Sequence, residues 1–540
     1  MLARINRLKF SLTNRIFGKE IMDFVHHNEP CKLRNYIEGE WVDSPSYERI
    51  INPMNGSTMF YSPLTSNDHE IRRVIECVGE CPKSGLFNPM KHPDQYRNWG
   101  EILFKATELM MNPDVEHVFF KLTQASMPKS HDEVMFGEVR AIKKFIENYT
   151  GDNPRFVAAG KVLAGDSQGQ QAISYRFPFG PVAIIAPFNF PFKLPIINLV
   201  AAMITGNKPL LKPDNKGGII SEAFVRLLEY CGMPKNSMVL LHNDRENTEK
   251  IMKAGKDVFR LVQFTGSSAV AHKLALLMKG KIKIEDSGYN WTILGPDVRN
   301  VHQVAHQCDQ DAFAASGQKC SALRLLIMHK NWSQTHLLKE IKQRAESRSL
   351  KNLTMCPILS WNNSKLTDHV NKIMSLPGAN LITGGEPITE PHSIPDVYGS
   401  FQPTLIYLPL STLLSNEYSK IALQEVFAPF LIVTDYSDSE YADIMSLLEK
   451  IDMHLTAGVI SQDINFINDV IRKTVNGVTY VAKGRTTGAP QNHFFGPGND
   501  PRSSGVGTNE AIVNTWTYQR EVVYDFATFD HPAITALKQS

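Results

Sequence analysis

The sequence predicts an α/β fold built on mostly parallel sheets, and three observations predict it. A chain of 540 residues, 42% hydrophobic and 21% charged, is a globular chain long enough for more than one core. Short apolar runs alternate with longer stretches of helical periodicity: Val182–Ala186 is followed by Leu194–Met203, and Leu210–Lys212 by Gly218–Glu229. That alternation is the pattern of strands joined by crossover helices. The seven cysteines are sparse and odd in number, so hydrophobic burial rather than a disulfide framework holds the chain together.

The elements follow in order. Residues 1–20 carry Arg4, Arg7, Lys9, Arg15 and Lys19 against Glu20 alone, with Leu2, Ile5, Leu8, Leu12 and Ile16 at helical spacing. This basic amphipathic leader predicts a mitochondrial transit peptide and a matrix location. Its formal +4 within a chain of +2 leaves −2 for the remainder, which gives no compositional case for nucleic-acid binding. Tyr36–Val42 and Glu48–Pro53 read as short strands, and helices dominate from His69 to Tyr149, including 98–110 and 134–149. Gly165–Gly169 closes a hairpin or oligomer arm. The alternating region to about residue 292 forms one domain, interrupted by that hairpin near 156–178. A second α/β domain covers 293–485, with helices expected at Val301–Asp311, Thr335–Glu346 and Asp443–Asp452 and a strand at Gly477–Val481. Residues 486–540 supply a structured Gly/Pro-rich loop and an edge strand at Thr515–Val523.

No apolar run has the length of a membrane-spanning helix; the most apolar stretch, Pro191–Met203, contains Lys193 and Asn198. Cys77 and Cys81 lack the further ligands of a zinc pattern, so no metal is expected. The Gly-x-Gly-x-x-Gly dinucleotide fingerprint is absent. Chemistry concentrates at Ala315-Ser316-Gly317-Gln318-Lys319-Cys320-Ser321-Ala322, where a cysteine stands among small residues. It is a nucleophile if its surroundings favour the thiolate and a structural thiol otherwise. Lys319 is adjacent in sequence, which does not fix where its charge points.

Five separated segments then occur in a telling order: Pro187-Phe188-Asn189-Phe190-Pro191, Phe264-Thr265-Gly266-Ser267, Glu285, Gly317–Ala322 and Glu425-Val426-Phe427-Ala428-Pro429. Together they resemble the aldehyde dehydrogenase superfamily over roughly Tyr36–Val523. The surroundings of Lys319-Cys320-Ser321 and of His493–Pro497 resemble its plant-type mitochondrial delta-1-pyrroline-5-carboxylate, or glutamate-semialdehyde, dehydrogenase branch.

The resemblance implies a Rossmann-type NAD-binding domain, an α/β catalytic domain and a small β oligomerisation subdomain. It implies that Cys320 attacks the aldehyde carbon, that the Asn189 amide and the Cys320 backbone N–H hold the developing oxyanion, and that Glu285 accepts a proton, with Asp286 the competing carboxylate. Lys212 is expected at an adenosine ribose, Gly266 and Ser267 at the pyrophosphate, and Glu425 and Phe427 at the nicotinamide ribose and ring. Ala271 stands where many relatives have glycine, and Asn215 where many NAD-preferring relatives have glutamate. Ser321 and the backbone around Gly505 are expected to anchor an α-carboxylate, and Phe190 is either a pocket wall or core packing. The implied activity is NAD-dependent oxidation of glutamate semialdehyde by a homo-oligomer. Another small aldehyde, or a non-catalytic binding protein of the same fold, is the alternative.

Overall fold

The computed structural model describes residues 12–166, 169–286, 288–483, 485–486 and 493–526. The first eleven leader residues, part of the Gly165–Gly169 turn, part of the 484–507 loop and residues 527–540 lie outside the described residues.

Two seven-stranded sheets carry the chain. In the first, Ile282–Glu285, Leu261–Thr265, Pro181–Ile185, Lys208–Lys212 and Val239–Leu240 lie side by side in parallel, and the hairpin Asn35–Ile37/Glu40–Val42 closes the edge antiparallel. Covered on both faces by helices, its central strands are uniformly buried, which is why their sequences are continuous apolar runs rather than alternating ones. The chain leaves Pro181–Ile185 toward Lys208–Lys212 and Val239–Leu240, then returns to the opposite side through Leu261–Thr265. The order therefore reverses beside Pro181–Ile185, and α/β sheets open a ligand crevice at the carboxyl ends of strands at such a point.

The second sheet has the order 380–383, 404–407, 430–436, 323–329, 290–294, 456–460, 478–481, parallel except for its first strand. Asn290–Leu294 already belongs to it, so the chain crosses between sheets after Glu285, a few residues ahead of the boundary expected at 292. A third, antiparallel sheet joins Thr517–Asp525 to Gln170–Pro178 and Lys161–Ala164. Thr515 and Trp516, expected in its edge strand, instead end the helix Asn509–Trp516, whose face buries Ala511, Ile512, Thr515 and Trp516.

The described part of the leader packs on the body: Thr13, Ile16 and Phe17 are buried, Phe17 sits edge-on to Phe119 at 5.5 Å, and the helix Lys19–His27 buries Ile21, Met22 and Phe24. Among the described residues no helix is long and apolar enough to cross a membrane.

Candidate active site

Four loops leave the carboxyl ends of strands in the first sheet and converge on one cavity of about 910 Å³. Asn189 comes from the loop after Pro181–Ile185, Lys212 from the end of Lys208–Lys212, Gly266 and Ser267 from the loop after Leu261–Thr265, and Glu285 from the end of Ile282–Glu285. Cys320, Glu425 and Phe427 close the cavity from the second sheet. Eight residues chosen from scattered motifs thus line a single space. Ser321, Phe190 and Gly505 do not line it.

The turn leading into Cys320 is strained and over-determined. Ala315, Ser316 and Gly317 have φ of 53°, 51° and 66°, and for the two non-glycine residues this left-handed backbone costs about 1–2 kcal/mol each. Ser316 Oγ donates to the Cys356 carbonyl and accepts the Cys356 N–H, both at 2.8 Å. Gln318 donates to the Pro357 carbonyl at 2.9 Å and accepts the Leu359 N–H at 2.7 Å. Arg324 donates to the Gly317 and Ala428 carbonyls at 2.6 and 2.7 Å. Gly317 is required here, because a Cβ would sit 2.3 Å from the Ala428 carbonyl oxygen.

Asn290 holds the turn from below. Its amide nitrogen donates to the Cys320 and Ala322 carbonyls at 2.8 and 2.9 Å, and its oxygen accepts the Thr456 N–H and hydroxyl at 2.9 and 2.8 Å. Lys319 does not face the sulfur: its ammonium donates to Glu133 at 2.8 Å. Burial alone raises the Glu133 pKa, but Lys319 outweighs it and leaves the carboxylate below its usual range. The Cys320 thiol is pushed well above its ordinary value by burial and by the neighbouring Glu285 carboxylate, with Lys193 opposing. Burial likewise raises Glu285, with Cys320 and Lys193 opposing. The resting pair is a thiol and a poised carboxyl, and Glu285 Oε1 is buried without a partner among the described residues. Asp286 also lines the cavity and raises Glu285 further.

The loop carrying Asn189 is fixed by an ion pair the motifs did not disclose. Lys129 and Glu138, both fully buried, meet at 2.8 Å, and the second Glu138 oxygen accepts the N–H groups of Phe192 and Lys193 at 2.9 and 3.2 Å. Glu138 thereby satisfies two N-terminal donors of the helix Lys193–Ile204. It lies in a π-helical turn, Met135–Val139, a distortion that recurs at functional sites. Phe190 is half-buried outside the cavity lining, with Lys129 Nζ 4.0 Å and Lys193 Nζ 5.7 Å from its ring centre. The segment containing Gly505 docks on the Glu285 strand, with Ile284 donating to the Arg502 carbonyl and Ser504 donating to the Ile284 carbonyl, both at 2.8 Å.

The cavity fits a dinucleotide. Ser267 is the N-cap of the helix Ser268–Leu277 yet makes no capping hydrogen bond, which leaves its hydroxyl and the helix N-terminus for a phosphate. Gly266 packs its Cα against the Phe264 ring, where a Cβ would come within 2.7 Å, and donates its N–H to the Glu285 carbonyl at 3.1 Å. Ala271 is fully buried and packs into the core of this sheet. Met252, Val270, Leu274 and Leu277 offer an apolar slot, with Arg245 and Lys273 at its rim. Sequence reasoning missed this slot because helical apolar spacing reads the same for a core face. Burial lowers the Lys212 pKa, with Asp214 opposing, and raises Glu425 to about 7, with Arg324 opposing. Phe427 stands edge-on to Phe188 at 6.0 Å.

A family model described as the aldehyde dehydrogenase family matches residues 41–522. The chain belongs to this family. It is an NAD(P)-dependent aldehyde dehydrogenase acting on a small aldehyde. It is 44% identical over 504 residues to a probable aldehyde dehydrogenase of Linum usitatissimum, covering 93% of this chain and 91% of the relative. It is 41% identical over 524 residues to the mitochondrial delta-1-pyrroline-5-carboxylate dehydrogenase 12A1 of Arabidopsis thaliana, covering 97% and 93%. The crystal structure of PnpE from Pseudomonas sp. WBC-3 superposes with a TM-score of 0.80 at 18% identity, covering 94% of this chain and all of that one. That likeness fixes the aldehyde dehydrogenase fold.

Proposed function

We propose that this aldehyde dehydrogenase oxidises L-glutamate 5-semialdehyde, the open form of 1-pyrroline-5-carboxylate, to L-glutamate with NAD in the mitochondrial matrix. The carrying observation is the convergence of Cys320, Glu285 and Asn189 on a cavity that continues into a dinucleotide-shaped cleft.

Cys320 Sγ forms a C–S bond to the aldehyde carbon, and the carbonyl oxygen becomes an oxyanion met by the Asn189 amide and the Cys320 backbone N–H. Glu285, whose charge acts on the thiol, takes the thiol proton and passes it to solvent once the thioester has formed; it then takes a proton from the water that attacks the thioester and returns it to the departing thiolate, releasing carboxylate and restoring the thiol. NAD, when bound, supplies the acceptor for the hydride that leaves the thiohemiacetal carbon. Lys212, Gly266, Ser267, Glu425 and Phe427 would hold it. Preference for NAD over NADP is supported by Glu48, which accepts a hydrogen bond from Asn215 and lies in the field of Lys212. A carboxylate near Lys212 disfavours a 2′-phosphate.

The α-carboxylate of the substrate is assigned to the Ser321 hydroxyl and the backbone around Gly505, with Phe190 as the wall. Similarity to the Arabidopsis enzyme supports both substrate and compartment. The homo-oligomer is assigned to the three-stranded sheet, where Val162, Leu163 and Val523 are exposed.

The test is NADH formation by the purified chain with NAD and equilibrated pyrroline-5-carboxylate, set against simple aliphatic aldehydes. Preference for pyrroline-5-carboxylate is expected. Turnover of the simple aldehydes alone overturns the substrate and keeps the chemistry.

A further inference from the structure

Two histidines and a glutamate converge on the surface of the second sheet, and none of them lines the cavity. The helices Val301–Phe313 and Leu337–Glu346 pack side by side there, with Val304, Ala305 and Cys308 of the one and Leu337, Ile341 and Ala345 of the other in a shared hydrophobic core. That seam sets their amino ends together. His302 is the second residue of the first helix, and Glu340 lies in the first turn of the other, four residues after His336 at its N-cap. Residues four apart on a helix share a face. Thr335 Oγ1 accepts the Leu337 N–H at 3.2 Å and His336 makes no capping hydrogen bond, so the His336 ring is left to turn toward Glu340. His302 Nδ1 lies 2.5 Å and His336 Nε2 3.0 Å from the same oxygen, Glu340 Oε1, with the ring centres 5.2 Å apart. All three ligand atoms lie within 4.8 Å of one another. The Glu340 side chain is 13% exposed, whereas those of His302 and His336 are 81% and 54% exposed: a held carboxylate carries two rings open to solvent.

We propose that His302, His336 and Glu340 form a binding site for a divalent transition-metal ion of the zinc class, which ties the two helices together at their amino ends. Two imidazoles and one carboxylate are donors such an ion takes at about 2.0–2.2 Å, with water in the remaining position. Tetrahedral ligands at that reach stand about 3.3–3.4 Å apart. The present separations, from 2.5 Å to no more than 4.8 Å, come to that value through side-chain movements of about 1 Å. Magnesium and calcium are excluded by the donor set, because they take six or more oxygens and a single carboxylate is present. Exposed ion pairs hold long side chains together only weakly, whereas one ion engages all three groups at once. The helix Val301–Phe313 runs directly into the turn Ala314–Gly317 ahead of Cys320, so an ion at its amino end, roughly 17 Å of helix away, braces the support of that turn and takes no part in the reaction.

The experiment uses the full, tag-free chain carrying Cys320→Ala, which removes the accessible thiol as a competing ligand, and adds His302→Ala, His336→Ala or Glu340→Gln to it. After dialysis against a chelator, cobalt(II) is titrated by absorbance and zinc by calorimetry, with thermal unfolding in chelator and in excess zinc. One ion per chain is expected, with Kd on the order of 1–10 µM. Cobalt should give visible d–d bands without the near-ultraviolet band of a thiolate ligand, and zinc at about 100 times Kd should raise Tm by about 2–5 °C. Each substitution should weaken binding at least about ten-fold and abolish the zinc shift. Because both rings are exposed, the histidine variants should melt in chelator within about a degree of their parent, which separates a lost ligand from a lost fold. Binding that is unchanged in both histidine variants overturns the proposal, as does a thiolate band or the absence of binding at about 1 mM metal. No readout needs a substrate, so a failure of the glutamate-semialdehyde reading leaves this result standing, and the reverse.

Discussion

The two seven-stranded sheets meet at the site in opposite senses. The first presents Asn189, Lys212, Gly266, Ser267 and Glu285 at or just beyond the carboxyl ends of its strands, whereas the second presents Cys320, Glu425 and Phe427 just ahead of the amino ends of Leu323–His329 and Phe430–Tyr436. Loops leaving a parallel sheet at a switch point diverge and open a crevice, so the first sheet makes the cleft. The second sheet makes the reacting point, and its turn pays for left-handed backbone at Ala315 and Ser316 with side-chain hydrogen bonds from Ser316, Gln318, Arg324 and Asn290. The difference teaches that the sheets contribute unequally: the first supplies the cleft together with Asn189 and Glu285, whereas the second supplies the braced Cys320 turn and reaches into the cleft with Glu425 and Phe427.

The sharpest break of this division is at its centre. Cys320→Ala is expected to lower steady-state NADH formation by about 10⁴-fold or more, while calorimetric NAD affinity stays near that of the wild type. Glu285→Gln, on the opposite sheet, is expected to slow both the first-turnover burst in stopped-flow absorbance and the following phase, the latter by about 10²- to 10⁴-fold. A burst at the wild-type rate in Glu285→Gln would confine this residue to hydrolysis and take thiol activation off the first sheet.

Asn290→Ala is the next largest effect. It removes two donors to the nucleophile loop and the acceptor for Thr456, so thermal or urea unfolding should report a loss of about 2–4 kcal/mol, with kcat falling more than KM changes. A change in KM for NAD alone would contradict the division.

The pH dependence tests the buried acids. Burial raises Glu425 to about 7, so it is largely neutral at pH 6 and a carboxylate at pH 8, the form that accepts ribose hydroxyls. KM for NAD should fall as pH rises through about 7, and Glu425→Gln should flatten that step. Because burial and Glu285 hold the Cys320 thiol well above its ordinary value, kcat/KM for aldehyde should keep rising on the alkaline side of that step. The smallest effect belongs to Ser267→Ala, which removes one hydroxyl at the phosphate end of the cleft. KM for NAD should rise about 3- to 10-fold with kcat nearly constant in initial-rate assays.

Much of this was legible in the residues. The apolar runs at Val182–Ala186 and Leu210–Lys212 gave buried parallel strands because a strand covered on both faces needs no alternation. The motifs around Asn189, Gly266, Glu285, Cys320 and Glu425 pointed to residues that the fold brings to one cavity, since small residues beside a polar one leave a local trace. The packing of the leader was not legible, because a basic amphipathic stretch has the same spacing whether its apolar face is free or, as with Phe17 against Phe119, buried. The Lys129–Glu138 pair and the Asn290 bracket carry no local pattern.

By itself, the sequence determined the fold class and the strand and helix alternation, because both are written in near-neighbour spacing, and its separated motifs pointed to Cys320 and its companions through a family resemblance. Only the tertiary structure decided that Lys319 is bonded to Glu133 and turned from the sulfur, that Glu48 stands beside Asn215, and that Asn290 brackets the Cys320 loop. The reason is physical: charge and hydrogen bonding act through space over a few ångströms, and the partners that set them are separated by up to 186 residues along the chain.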